Sequence, residues 1–270
     1  MRTLTRAGTL LSLTLGLGAL PSPAPAEGDS PPPAPVVEER ARQWLHDMSE
    51  YLRASKSYSF HADIQYDDVL PSGQKIAFAA ETDIALRRPN GIHARQVSDT
   101  GSKRLWFDGK QLTLLDPQKN TVGVEALSGN TDKALEYMVN ELHFSLPLAD
   151  FLYEDPARAL GHNTRYGFVV GPSSVGGIPC QHLAFVDSHV DWQIWIEDGR
   201  LPLPRKLVIT YKTLPSSPQF SATLSDWDFG SRLPDSLFQA RLPADAMRIP
   251  FLKEAQARPP TPEAKPKEKQ

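Results

Sequence analysis

Cys180 and His182 stand two apart in Cys180-Gln181-His182, and they are the pair in this chain with the types and spacing for nucleophilic chemistry. On a strand, side chains two apart share a face. An imidazole there could take the proton of the neighbouring thiol and leave a thiolate nucleophile. The chemistry also needs a group to orient the base, donors for an oxyanion and an electropositive setting for the thiol. Neither of the first two requirements is met with any force: Glu197 and Asp187 are candidates for the third member without a pattern behind them, and no oxyanion donors stand out. A thiol-dependent enzyme is therefore the last of the functional readings. The plainer alternative is a buried cysteine acting as a small apolar side chain.

Other catalytic patterns are missing. His46, His61, His93, His143, His162, His182 and His189 are scattered, without the close pairing of a zinc site. There is no Gly-rich phosphate loop, no Gly-x-Ser-x-Gly and no carboxylate pair spaced for glycoside hydrolysis. No metal, no cofactor and no catalytic residue is expected, and the chain reads as a binding protein rather than an enzyme. Its formal charge of −3 gives no electrostatic reason to expect nucleic acid. With one cysteine it can form no internal disulfide, so packing must hold the fold.

The elements that must position these residues begin after an export signal. Arg2 and Arg6 precede an uncharged apolar stretch, Ala7 to Leu20, and Ala24-Pro25-Ala26 has the small-x-small form of a cleavage site. Residues 1–26 are expected to be cleaved near Ala26, 27–35 to form a Pro-rich linker and 253–270 to be a disordered charged tail. No cysteine lies near the cleavage site for a lipid anchor, and no transmembrane segment is expected in the mature chain. The protein is expected in the periplasm, with one domain over 36–252.

Within that domain, Val37, Ala41, Trp44, Leu45, Met48 and Leu52 recur at helical spacing up to Ala54. The period then drops to two. Phe60, Ala62, Ile64 and Tyr66 alternate with His61, Asp63 and Gln65, and Ile76, Phe78, Ala80 and Ile84 form a second such run. Further strands are predicted around Ile92–Val97, Lys103–Phe107, Gln111–Leu115 and Asn120–Ala126, with Asp108-Gly109 as a hairpin turn. Helices are predicted over Thr131–Leu142, capped by Asn130 or Thr131, and over Pro147–Tyr153. Strands resume around Arg165–Val170, His182–Asp187, Asp191–Glu197, Lys206–Lys212 and Phe220–Phe229. Such a pattern predicts an α+β fold: a large curved antiparallel β-sheet, a half-barrel of about 10–11 strands, with helices on its concave side.

Gly176-Gly177-Ile178-Pro179-Cys180-Gln181-His182-Leu183-Ala184-Phe185, then Asp191-Trp192-Gln193-Ile194-Trp195-Ile196-Glu197, then Pro202-Leu203-Pro204-Arg205-Lys206-Leu207 resemble the DUF2092 family of predicted periplasmic proteins. The resemblance extends from Trp44 to Leu237-Phe238 and Pro243-Ala244-Asp245-Ala246. That family is similar to the LolA/LolB-like lipoprotein-carrier fold, which implies a half-barrel and the binding of acyl chains or lipoproteins, and carries no established active site.

The reading that follows is a periplasmic protein sheltering a lipid, acyl chain or lipoprotein in an apolar cavity. Candidate lining residues are Phe60 and Ile64; Ile76, Phe78 and Ile84; Leu105 and Phe107; Trp192, Ile194 and Ile196; and Leu207 and Ile209. The alternation also fits a dry, interdigitated core. The alternative function is an envelope protein-interaction or sensor module without a bound ligand, meeting its partner through a sheet edge or the Trp195 face.

Overall fold

The computed structural model describes residues 36–251. In chain order the elements are β1 (Val36–Val37), α1 (Glu39–Ala54), β2 (Ser57–Val69), β3 (Lys75–Arg87), β4 (Gly91–Ser98), β5 (Gly101–Phe107), β6 (Gln111–Asp116) and β7 (Thr121–Ala126). After them come α2 (Thr131–Asn140), α3 (Pro156–Gly161), β8 (Tyr166–Val175), β9 (Ile178–Val186), β10 (Asp191–Glu197), β11 (Pro204–Thr210), β12 (Gln219–Asp228), α4 (Asp235–Phe238) and β13 (Met247–Arg248). The predicted signal, linker and tail lie outside the described residues.

Two antiparallel meanders, β2 to β7 and β8 to β12, join through β12 pairing with β2, where Ala222 faces Ile64. These eleven strands are the predicted antiparallel half-barrel. Two further strands of two residues each run parallel at its margins, β1 on β8 and β13 on β7, giving an open sheet of 13. Val37 therefore belongs to an edge strand rather than to the first helix. A bulge between Val169 and Gly171 breaks the β8 register, and the Val169 amide donates to the Glu38 carboxylate at 3.2 Å.

Alternation assigns the faces. On β2, Tyr58, Phe60, Ala62 and Ile64 are buried while His61, Asp63 and Gln65 lie outside. α1 presents Ala41, Leu45, Met48 and Leu52 to the same core. The connection from β7 to β8 adds Leu135, Met138, Leu146, Leu148, Phe151 and Leu152, so it crosses the concave face and closes the core from above. α2 starts as predicted, with the Asn130 side chain accepting from the Lys133 amide at 3.0 Å.

The helix predicted over Pro147–Tyr153 is reduced to one 3₁₀ turn at Ala149–Phe151. Leu148 takes left-handed backbone angles, φ 62°, which a helix cannot pass through. The segment is an irregular strap, clipped to the sheet by side chains. The Tyr58 hydroxyl donates to the Phe151 carbonyl at 2.5 Å, and the Arg88 guanidinium donates to the carbonyls of Leu152 and Tyr153 at 3.3 and 2.9 Å.

On the convex side, Trp106, Leu115 and Val122 form a small second core beneath Ala240, Leu242 and Ala246. Among the described residues no helix is long and apolar enough to cross a membrane.

Candidate functional site

The two ends of the concave face differ. Where β2 begins, aromatic rings fill the space: Phe60 stacks on Trp227 at 4.4 Å, and Tyr51 meets Phe229 edge-on at 5.0 Å. Where β2 ends, a groove of about 720 Å³ opens to solvent between the sheet and the strap. A volume of this size falls within the range of small-molecule sites.

Strand register explains the space. One cross-strand row on the concave face runs Leu207, Ala222, Ile64, Ala80, Ser98, and the next runs Ile209, Phe220, Tyr66, Phe78. Large side chains alternate with Ala222, Ala80 and Ser98 in the first row, so the sheet leaves room above it. The facing wall is strap backbone and side chains from Ser145 to Asp150, with Val139 and Tyr153. Val139, Tyr211 and Leu214 stand at the mouth with 46%, 37% and 51% of their surface exposed, an apolar rim already in contact with water.

The groove also carries charge. Asp67 accepts from Lys75 at 3.0 Å and from the Gln219 amide at 2.9 Å, which hold its carboxyl below the usual range. Lys103 is ion-paired with Asp116. Asp150 has no such neighbour among the described residues: burial pushes its pKa up, opposed by a hydrogen bond from its own backbone amide and by the charge of His162.

Of the twelve residues nominated from sequence, Ile64, Leu207 and Ile209 line this groove. Phe60, Ile84, Leu105, Phe107, Trp192, Ile194 and Ile196 point to the same concave side but are buried in its filled core. Phe78 stacks against Tyr66 at 5.8 Å, and Ile76 is half-buried near the start of β3. Asp150, Tyr153 and Tyr211 were not nominated. Tyr211 continues the Leu207, Ile209 alternation of the predicted strand, a signal that could have found it; Asp150 and Tyr153 carry no periodic signal, and the crossing of the strap brings them to the β11 end.

Cys180 and His182 share the convex face, as two-residue spacing requires, yet each is engaged elsewhere. The buried Cys180 thiol donates to the Ile178 carbonyl at 3.3 Å, while His182 hydrogen-bonds Gln193 at 2.9 Å and stacks on Trp195 at 4.0 Å. Burial pushes the Cys180 thiol pKa up, opposite to what a thiolate nucleophile needs. Glu197, opposite Cys180 in the β9–β10 register, is paired with Arg205 and orients no base. Trp192 faces the core and stacks on Phe185 at 4.1 Å; Trp195 faces outward beneath the Lys206 ammonium at 5.0 Å.

A family model described as "predicted periplasmic protein (DUF2092)" matches residues 41–252. No curated protein matches the chain by sequence. Among solved structures, the chain is similar to LprF from Mycobacterium bovis, with 12% identity over 75% of this chain and 98% of that one, TM-score 0.43. It is similar to an uncharacterised conserved protein from Thermus thermophilus, with 10% identity over 78% and 99%, TM-score 0.47. It is also similar to the lipoprotein LppX from Mycobacterium tuberculosis, with 11% identity over 73% and 100%, TM-score 0.44.

Proposed function

The chain belongs to the DUF2092 family of predicted periplasmic proteins, and from that premise we propose that it shelters an apolar chain, from a lipid or a lipoprotein, in the groove beneath the strap. The observation that carries this reading is the groove itself: about 720 Å³, floored by Leu207, Ile64, Ile209 and Phe220, with its mouth already apolar. Covering Val139, Tyr211 and Leu214 with a ligand removes apolar surface from water at roughly 25 cal/mol per Å². No chemistry on the ligand is part of the proposal.

Native mass spectrometry with organic extraction, on protein purified from a periplasmic fraction without detergent, tests it. A stoichiometric lipid adduct is expected, and Ile209→Trp, which places a larger side chain on the floor, should reduce its occupancy severalfold. A clean unliganded mass together with no binding of an apolar fluorophore would remove the carrier reading.

A second reading has one observation behind it. Phe168 is 45% exposed on the convex face, one register row from His182 and Trp195, a surface suited to an envelope protein partner. Loss of partner capture in Phe168→Ser, with lipid absent from the protein, would favour it.

A further inference from the structure

An apolar groove alone would accept any amphiphile, but among the described residues of this one a single charged group stands without a counter-charge. Asp150 sits on the strap wall in the middle of the 3₁₀ turn, and Leu207 and Ile209 line the same groove from the sheet. Among the described residues it has no ion-pair partner. Other charges on the groove are satisfied: Asp67 by Lys75, and Lys103 by Asp116. Tyr153 and Tyr211 share the lining with Asp150. Both phenol pKa values are raised by burial first and then by the Asp150 charge, so both phenols lie near that carboxyl, Asp150 and Tyr153 half-buried and Tyr211 at the mouth.

A carboxyl so placed has a clear preference among ligand heads. An anionic head would set two like charges together, which costs free energy or forces one to take a proton. A head that donates hydrogen bonds gives the carboxylate the partner it lacks, and a cationic donor supplies the counter-charge as well. The phenol rings that share the lining suit an ammonium group too. Lys103 already has a counter-charge in Asp116, so it offers an anionic head less than an unpaired cation would.

We propose that the groove selects amphiphiles whose head donates hydrogen bonds and bears no negative charge, an ammonium above a hydroxyl or amide, with that head seated on Asp150 between Tyr153 and Tyr211. This rests on the groove being a ligand site. It adds which end of the ligand is recognised and what is rejected.

The test uses the full exported protein at pH 7.5, with an apolar fluorophore displaced by dodecylamine, dodecanol or dodecanoate, each below its micelle concentration. Dodecylamine should displace the probe at a concentration lower than dodecanoate by about tenfold or more, equivalent to 1.4 kcal/mol, with dodecanol between them. In Asp150→Asn the amine advantage should shrink to about threefold or less while dodecanol still binds. Phe168→Ser, on the convex face away from the groove, keeps the carboxyl and should keep the order of the three heads. Dodecanoate binding as well as dodecylamine in the unaltered protein overturns head selection while leaving the groove a lipid site, and so does an amine advantage that survives in Asp150→Asn. Failure of all three, and of the fluorophore, sinks the groove reading with it. If Asp150→Asn does not fold, the series on the unaltered protein decides.

Discussion

At neutral pH the Asp150 carboxyl ionises less readily in the folded protein than in the unfolded chain, because its place on the strap wall strips part of its hydration. Its folded pKa is therefore raised. Below the unfolded pKa both states are protonated and Asp150 costs nothing; as pH rises past that value the folded state is penalised, and the penalty levels off above the folded pKa. Asp150→Asn should accordingly melt a few degrees higher than the parent at pH 7.5, with the difference fading as pH falls toward the carboxylate range. A lower melting temperature at pH 7.5 would show that the carboxylate stabilises the fold. Higher stability with lost head selection is the trade-off expected where a polar group is kept for binding. Sequence could not reveal this residue, since an Asp in a short irregular segment looks like any solvated turn residue. The cavity face was more legible: Ile64, Leu207 and Ile209 follow from alternation, but alternation does not say where along that face the core stops being filled.

Among the elements, the strap depends on few bonds. Tyr58 is fully buried and its hydroxyl holds the Phe151 carbonyl, while Arg88 holds the next two carbonyls. Tyr58→Phe leaves a buried carbonyl unpaired, which costs about 1–3 kcal/mol. Its urea midpoint should fall by that equivalent, and fluorophore affinity should weaken because the groove's facing wall is less fixed; an unchanged midpoint would mean water reaches Phe151. The strands, α1 and α2 were readable from period and cap. The strap was not, because Leu146, Leu148, Phe151 and Leu152 are spaced loosely enough to suggest a helix, and the left-handed turn at Leu148 leaves no mark in composition. The length of β8 was also under-read. Gly176 and Gly177, both at positive φ, close a two-residue hairpin that carries the strand on to Val175.

Across the molecule, the β12–β2 pairing fuses two meanders over one concave core that α1 and the strap both enter. No boundary in that core separates a half that could unfold alone. A single urea transition, coincident by tryptophan fluorescence and far-UV circular dichroism, is expected; separated transitions would show the meanders to be independent. The curved sheet and its covered face were legible from composition and period. The strand order was not, since the partner of β2 across the seam lies near the far end of the domain. The open sheet's margins have a consequence of their own. A long bare strand invites a neighbouring molecule to add itself by backbone pairing, the first step toward aggregation. On the β8 side that template is broken up by β1 on Tyr166 and Gly167, by the Glu38 carboxylate occupying the Val169 amide, by the bulge, and by Pro172, which has no amide to offer. An open, apolar-lined sheet is thereby denied, on its β8 side, the long bare strand through which copies could add to one another.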